Sequence, residues 1–151
     1  MSVKLSKILE RFADRIEAQT DAIALDVAGP LQERPDHLQH QGFAIYATST
    51  EVLDRRHGDV DVYVRDRVIV DLGHRIKPKA QRASVCSAAD LEDAIIVALT
   101  AQSWLTDASW NAVTRDHIDV HVGEITRETV GGGEWQRILL GFDVLRHQDI
   151  G

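Results

Sequence analysis

Apolar residues recur every three or four positions near the start of the chain, which is the spacing of an amphipathic helix. Charged residues fill the positions between them, so one side of this helix is apolar and the other is polar. The apolar stripe consists of Leu5, Ile8, Leu9, Phe12 and Ile16. The pattern predicts a helix from about Ser2 to Gln19 that packs its apolar stripe against a sheet.

A second stretch with helical spacing begins near residue 84. Its apolar positions are Leu91, Ile95, Ile96, Ala98, Leu99 and Leu105. Ser84 or Ser87 is expected to cap its start, because the sequence from Ser87 to Asp90 resembles a capping box. The helix dipole favours negative charge in the first turns, and three acidic residues would fall there: Asp90, Glu92 and Asp93. We expect this helix to end near Trp104.

Alternation of apolar and polar residues predicts strands in the middle of the chain. Residues 43–50 alternate, and a longer alternating stretch covers residues 59–72. The even positions of the longer stretch are largely apolar: Val60, Val62, Val64, Val68, Val70 and Leu72. The odd positions place most of the charge on the opposite face: Asp59, Asp61, Tyr63, Arg65, Arg67 and Asp71. The stretch is either one long strand or two strands joined by a turn at Arg65 to Arg67.

The last third of the chain alternates in the same way. Residues 117–125 and 135–147 predict two strands that form a hairpin around residues 126–133. Earlier in the chain, a short strand or turn near Ile23 to Val27 precedes a loop. Strands that are apolar on one face only indicate a sheet covered on one side. We therefore predict a single α+β domain over residues 1–151, in which two amphipathic helices pack on one face of a mainly antiparallel sheet.

The composition is that of an acidic globular protein. The 151 residues carry a formal net charge of −7, which disfavours nonspecific adhesion to DNA or to an anionic membrane. Cys86 is the only cysteine, so the chain can form neither an intramolecular disulfide nor a zinc site built from cysteines. Local basic patches remain compatible with this balance.

Asp59 and Asp61 have the spacing of the aspartate pair that holds divalent metal in nucleotidyltransferases. Such a site needs a third carboxylate from a neighbouring strand, which Asp71 or Asp119 could supply. It also needs a Gly-Ser turn upstream to hold the triphosphate, and the upstream segment TSTEVLDRRHG has none. A metal-dependent nucleotidyltransferase is therefore an alternative to a protein without catalytic activity.

Two pairs of histidines have spacings that occur in metal sites. His37 and His40 lie in a segment flanked by prolines and glycine, which favours a solvated loop. His117 and His121 fall on one face of a predicted strand, but about 13 Å separates them at about 3.3 Å per residue. One ion cannot reach both, so neither pair predicts a metal site.

Surface contacts are the remaining candidate function. Basic residues accumulate on and after the central strand, and three tryptophans, at positions 104, 110 and 135, fall near the ends of predicted elements. Aromatic and basic side chains in such places often anchor interfaces. The candidate interface residues are Arg65, Arg67, Arg75, Lys77, Lys79 and Trp135.

The order of elements resembles that of the tail terminator proteins of tailed bacteriophages. The resemblance lies in the N-terminal amphipathic helix and in the strand VIVDLGHRI that leads through KPKAQRAS into AADLEDAIIVALT. The closing hairpin IDVHVGEITRETVGGGEWQRILLGFDVLRH, with Gly-Glu-Trp before an alternating strand, is also similar. The segments from Leu31 to Gly42 and TSTEVLDRRHGD do not match.

The resemblance implies a structural protein of the virion neck, assembled in the host cytoplasm, with no enzymatic activity, no cofactor and no membrane contact. Such a subunit closes into a homohexameric ring that binds the tail tube on one side and the head-to-tail connector or stopper on the other. DNA passes through the lumen without sequence-specific binding. The expected contact elements are the regions around Arg65 to Arg67 and Val130 to Trp135. Another neck, tail-completion or head-closure protein is a related alternative.

Overall fold

The computed structural model describes residues 4–27, 30–31, 38–54, 61–101 and 119–149, except the side chains of residues 54, 61–63 and 147–149. The main elements are α1 (Leu5–Gln19), β1 (Ile23–Ala24), β2 (Gly42–Asp54), β3 (Asp61–Arg75), α2 (Gln81–Thr100), β4 (Asp119–Val130) and β5 (Trp135–Asp149). No helix within these residues is long and apolar enough to cross a membrane.

The five strands form one sheet in the order β1-β2-β3-β5-β4. Every neighbouring pair is antiparallel except β1 and β2, which are parallel. Both helices contribute to the core on one face of this sheet. The predicted α+β fold with a mainly antiparallel sheet is confirmed.

The long valine-rich stretch forms a single strand. β3 pairs with β5 without interruption, from Asp61 opposite Asp149 to Arg75 opposite Trp135. Of the two alternatives, the hairpin with a turn at Arg65 to Arg67 is therefore wrong. A partner strand of equal length, 15 residues, satisfies the backbone groups of β3 along its whole length on that side.

The core between the sheet and the helices follows the predicted periodicities. Its fully buried side chains include Ile8, Phe12 and Ile16 of α1, Phe43 of β2, Val64, Val68, Val70 and Leu72 of β3, Ile95 and Leu99 of α2, and Ile138, Leu140, Phe142 and Val144 of β5. The rings of Phe12 and Phe142 meet edge to face with 6.1 Å between their centroids. The predicted apolar faces of α1, β3 and β5 are thus confirmed.

Both helices begin at positions that differ from the prediction. Lys4 has extended backbone angles, so α1 begins at Leu5 rather than at Ser2. α2 begins at Gln81, which places Ser84, Ser87 and the three acidic residues inside the helix and not at its start. The predicted capping box is therefore wrong.

Ser84 lies inside the first turn of α2 and stabilises the turn that precedes the helix. Its hydroxyl donates to the carbonyl of Ala80 at 2.8 Å and accepts from the backbone N–H of Lys77 at 3.0 Å. The side chain thus holds the turn before α2 from within the first turn of the helix. α2 ends at Thr100, four residues before the predicted end.

The face of the sheet opposite the helices is partly covered by the segment between β1 and β2. Leu31 and Leu38 from this segment are buried beside Ala44 and Val130, and Leu25 and Trp135 pack against them. The sequence predicted only a solvated loop here. Among the described residues of this segment, Leu31 and Leu38 belong to a second, smaller apolar cluster.

The β4–β5 hairpin is tighter than predicted. β4 continues to Val130, and only Gly131–Gly133 and Glu134 separate it from β5. The three glycines have φ angles of 62°, 70° and 91°, a region that residues with a Cβ rarely adopt. The turn therefore depends on glycine.

Candidate interaction surfaces

Arg65 and Arg67 lie in the middle of β3, on the face opposite the helices. Arg65 contacts Glu51 of β2 at 2.9 Å, and Arg67 Nε contacts Asp143 of β5 at 2.9 Å. Neither arginine lies at a hairpin tip, because both belong to a continuous strand that is paired on both sides, and their role in contacts with a partner stays a prediction. They form cross-strand ion pairs that remain partly open to solvent.

Arg67 lies over two glycines on neighbouring strands. A Cβ at Gly141 would stand 3.2 Å from Arg67 Nη1 and 2.9 Å from the carbonyl oxygen of Glu124. A Cβ at Gly123 would stand 3.3 Å from the Arg67 guanidinium. These glycines therefore let the guanidinium lie flat on β5 and β4. A depression of about 150 Å³ beside it is lined by Ser49, Glu51, Arg65, Arg67 and Asp143.

Asp71, predicted on the charged face, is completely buried there. Arg137 donates to it from two nitrogens, at 2.8 and 3.0 Å, and the backbone N–H of Leu31 donates at 2.9 Å. The Tyr46 hydroxyl donates at 3.2 Å. The carboxylate thus joins three strands to the covering segment, and its role in this structure is to hold them together.

The charges of this cluster shift the pKa of two neighbours. Burial, followed by the charge of Asp71, raises the pKa of Tyr46 to about 12. Hydrogen bonds to Asp71 raise the pKa of Arg137, which also contacts Glu128 at 3.0 Å. Tyr46 therefore remains a hydrogen-bond donor at neutral pH.

A second buried ion pair lies on the helix face of the sheet. Arg146 Nε donates to Asp66 at 2.5 Å, and the Thr50 hydroxyl donates to the same carboxylate at 2.5 Å. Both charged residues occupy positions of the apolar pattern, Asp66 between Val64 and Val68 and Arg146 two residues after Val144. A charged residue at a position of the apolar pattern indicates a buried charge, so this pattern in the sequence could have identified both residues.

A third ion pair joins α2 to the sheet. Glu92 is buried in α2 and accepts from Arg127 of β4 at 2.9 Å. Its hydrogen bonds and charge raise the pKa of Arg127. Glu92 was predicted to lie in the first turns of α2, where the helix dipole favours negative charge. Instead it lies in the middle of the helix and holds it against β4.

His40 and His74 pack edge to face with 4.5 Å between their ring centroids. The backbone N–H of Arg75 donates to His40 Nδ1 at 3.1 Å, and His74 Nδ1 lies 3.0 Å from the Arg75 carbonyl oxygen. Burial lowers the pKa of both histidines, and the charges of Lys77 and Arg75 add to this at His40. The pair is therefore neutral at pH 7. His74 Nε2 is buried without a hydrogen-bond partner in the described structure.

The remaining predicted basic residues cluster where β3 ends and α2 begins. Arg75, Lys77 and Lys79 are all exposed there, together with Arg82. None of these four forms an ion pair within the described part of the chain. Hydrogen bonds from Ile76 N–H to the Glu134 carbonyl and from Ala80 N–H to the Lys77 carbonyl fix the backbone that carries them.

Trp135 begins β5 and is partly buried against the apolar cluster under the covering segment. It therefore contributes to the packing of its own chain. Trp104 and Trp110, His37, His117 and Asp59 lie outside the described residues, as does the side chain of Asp61. Across the described ranges, no group of three or more His, Cys, Asp or Glu side chains is placed to hold a metal ion.

No described strand pairs with most of the length of either outer edge of the sheet. Within the described residues, β4 pairs only with β5, and β2 pairs with β1 only at Gly42 and Phe43. Register shifts interrupt β2 after Ala47 and after Val52, and β4 after Val122. Such irregularities restrict which strands can pair with an edge.

Searches against protein-family models and against curated proteins found no match to this chain.

Proposed function

We propose that this chain is a structural subunit of a phage neck that closes into a homohexameric ring, caps the tail tube and joins it to the head connector. The proposal assigns no catalytic activity and no cofactor to the chain. It rests on the resemblance to tail terminators and on the open edges of the sheet, the observation that carries most weight.

The edges support a ring because they differ from each other. One edge is the 12-residue β4, and the other is the part of β2 from Ala44 to Asp54. Unpaired N–H and C=O groups along a strand readily pair with another chain. A contact between two different edges is head to tail, and head-to-tail contacts close into a ring when the rotation fits.

The net charge of −7 is compatible with DNA in the lumen. An acidic ring repels the phosphate backbone and lets DNA slide without adhering. The buried ion pairs Asp66–Arg146 and Asp71–Arg137 hold β3 and β5 in one register, so the sheet forms a rigid body between its two edges.

Electron microscopy of the purified chain, alone and mixed with isolated phage tail tubes, tests the proposal. We expect rings with six-fold symmetry, or their appearance at the ends of tubes when the free chain is monomeric. Light scattering should then give a mass that is a multiple of six protomers. The proposal is wrong if no ring forms under either condition at any protein concentration.

The alternative activity is tested in parallel by calorimetry with magnesium or manganese and a nucleoside triphosphate. Tight binding that Asp59→Asn and Asp61→Asn abolish would replace the ring proposal with a nucleotidyltransferase. We expect no such binding.

A further inference from the structure

Positive charge is concentrated at one end of the sheet, where β3 leads into α2. The sequence contains no acidic residue between Asp71 and Asp90. Four basic residues, which we call the basic cluster, lie in the same interval: Arg75, Lys77, Lys79 and Arg82. The whole chain has 24 acidic residues against 17 lysines and arginines, so this interval is an exception. A local excess of one sign is the usual footprint of a surface that binds the opposite charge.

The described part of the chain does not neutralise the basic cluster. All four side chains are exposed, and none of them forms an ion pair or a hydrogen bond with a described residue. The first turn of α2, which contains Arg82, has no acidic residue. Burial lowers the pKa of His40, and the charges of Lys77 and Arg75 lower it further, so their positive potential extends to a neighbouring side chain.

Hydrogen bonds hold the backbone of the basic cluster in one conformation. The Ala80 N–H donates to the Lys77 carbonyl at 3.0 Å, and the Lys77 N–H donates to the Ser84 hydroxyl at 3.0 Å. The Ile76 N–H donates to the Glu134 carbonyl at 2.8 Å, which connects this segment to the glycine turn between β4 and β5. A fixed backbone reduces the entropy that is lost when the basic side chains bind a ligand.

The glycine turn beside the basic cluster leaves room for a large ligand. Gly132 and Gly133 are exposed, and a Cβ added at either position would have no atom within 4 Å. Glu134 is the one acidic residue of this turn, against four cations in the cluster. Positions without a side chain allow the backbone of another molecule to approach closely.

The surroundings of the basic cluster favour a nucleic acid over a protein as its partner. Protein interfaces have an apolar centre with aromatic anchors, whereas nucleic-acid interfaces are more polar and much more positively charged. The strongly exposed apolar side chains among the described residues are Ile23, Val27, Val52, Leu53, Val85, Val97 and Val122. Val85 is the only one of these within four residues of the cluster along the chain. The cluster therefore offers charge without an apolar centre.

We propose that the basic cluster binds the phosphate backbone of double-stranded DNA without reading its sequence. A duplex carries about one negative charge per 1.7 Å of its length. Seven residues separate Arg75 from Arg82, about 25 Å when fully extended, and the turn between them shortens this span. Several phosphates therefore face the four cations at once. Contacts to phosphate fix the position of a protein on a duplex but carry no sequence information.

The acidity of the rest of the chain confines the DNA contact to this end of the sheet. A net charge of −7 repels the duplex elsewhere, so the contact is weak and sensitive to salt. In a ring of six subunits, six such clusters touch passing DNA, and the weakness of each contact lets the duplex slide. The inference goes beyond the proposed function, which assigns no residue to DNA, and it applies equally to a single chain.

The salt dependence of binding tests how many phosphates the cluster contacts. Fluorescence anisotropy measures binding of a labelled duplex of about 20 base pairs at salt concentrations from about 20 to 150 mM. Four contacts predict a slope of about −3.6 for the logarithm of the association constant against the logarithm of the salt concentration. The double variant Lys77→Gln, Lys79→Gln should reduce this slope by about 1.8 and weaken binding at least about tenfold at low salt.

The double variant Lys4→Gln, Lys7→Gln is the matched control, because it removes two exposed lysines from the start of α1 and its flank. It should keep the slope and bind the duplex within about threefold of the original chain. The inference is overturned if both double variants weaken binding equally, or if the original chain does not bind the duplex at about 20 mM salt.

Polyglutamate of the same net charge as the duplex separates phosphate recognition from recognition of an acidic protein. It should bind the original chain at least about tenfold more weakly than the duplex does. Equal or tighter binding of polyglutamate would assign the basic cluster to an acidic protein surface and overturn the proposal.

Lysine acetylation followed by mass spectrometry gives a second readout in the unaltered chain. The four lysines of the chain are Lys4, Lys7, Lys77 and Lys79, so two lie in the cluster and two outside it. The duplex should slow acetylation of Lys77 and Lys79 at least about threefold and leave the other two unchanged. Equal protection of all four lysines would contradict the inference.

Discussion

The two faces of the sheet each bury one aspartate–arginine pair, but different parts of the chain cover them. On the first face, α1 and α2 pack against the sheet, and Asp66 pairs with Arg146 on the same face. On the opposite face, the segment between β1 and β2 covers Asp71 and donates the Leu31 N–H to it. Helices cover much of one face, whereas the described leucines of the segment between β1 and β2 cover part of the other.

β3 buries one aspartate on each face of the sheet, Asp66 on the helix face and Asp71 on the opposite face. Side chains alternate along β3, so a shift of one residue would move each aspartate to the wrong face. Asp66 and Asp71 have opposite parity, and each has an arginine on β5 to meet it. The two pairs therefore specify one register from both sides. Two ion pairs with partly exposed side chains, Arg65–Glu51 and Arg67–Asp143, lie on the uncovered part of the second face.

Removal of Asp66 should have the largest effect on stability. Asp66→Ala removes a buried carboxylate that accepts from the Thr50 hydroxyl and from Arg146, a residue that is only 4% exposed. We expect the free energy of unfolding to fall by about 3–5 kcal/mol, as is typical when one member of a buried pair is lost. Urea denaturation measures it, and a loss below about 1 kcal/mol would contradict the buried pair.

Asp71→Ala should cost less, about 2–4 kcal/mol, because the Arg137 side chain is more exposed than that of Arg146, 13% against 5%, and also contacts Glu128. The change also removes the acceptor of the Leu31 N–H, so the covering segment should loosen. Hydrogen exchange would show faster exchange at Leu31 in this variant and not in Asp66→Ala. Equal exchange at Leu31 in both variants would mean that Asp71 does not hold the segment.

Gly141→Ala tests the uncovered part of the second face. The new Cβ would lie 2.9 Å from the Glu124 carbonyl oxygen, so the backbone of β4 must shift. We expect a loss of about 1–3 kcal/mol, as for other overpacked sites. Gly123→Ala is the control with looser contacts of 3.3 Å and should cost less. A larger loss of stability in Gly123→Ala than in Gly141→Ala would show that the Arg67 side chain, and not the backbone of β4, limits the space for a new Cβ.

Acid should destabilise the end of the sheet where His40 and His74 meet. Burial lowers the pKa of both below 6.5, so the unfolded chain binds protons more readily than the folded chain. The contribution of the two neutral histidines to stability is therefore fully present above about pH 6.5, their pKa in the unfolded chain, and it is lost as the pH falls below that value. Urea midpoints at pH 7.5 and 5.5 measure the loss.

His40→Gln keeps a side-chain acceptor for the Arg75 N–H and removes one titrating ring. It should show a smaller fall in the urea midpoint between the two pH values than the original chain. An equal fall in both proteins would assign the acid sensitivity to other groups.

Arg65→Ala should have the smallest effect. Its ion pair with Glu51 joins two side chains that are 40% and 64% exposed, and such pairs contribute little in water. We expect a change below about 0.5 kcal/mol that disappears in high salt. A loss as large as that of Asp71→Ala would contradict the distinction between the covered and uncovered parts of this face.

The sequence predicted the parts of the fold that depend on local periodicity. The apolar positions of α1, β3 and β5 identified the core between the sheet and the helices, and the two-helix, mainly antiparallel architecture followed from them. The start of α2 was missed because Ser87 and Asp90 match a capping pattern, whereas the turn is held by Ser84 from within the helix.

Contacts between distant segments were not predictable from local patterns. Asp71 has the parity of an exposed residue, and only the return of Leu31 and Leu38 over the sheet buries it. Asp66 and Arg146 were detectable as charges at apolar positions, but their pairing requires the register of β3 and β5.

Hydrogen exchange of the outer edges on ring assembly tests the central claim most directly. The account predicts that backbone amides along β4, and along β2 from Ala44 to Asp54, exchange more slowly in the assembled ring than in the free chain, while the centre of β3 does not change. Rings in which β4 and β2 exchange as fast as in the free chain would contradict closure through the edges of the sheet.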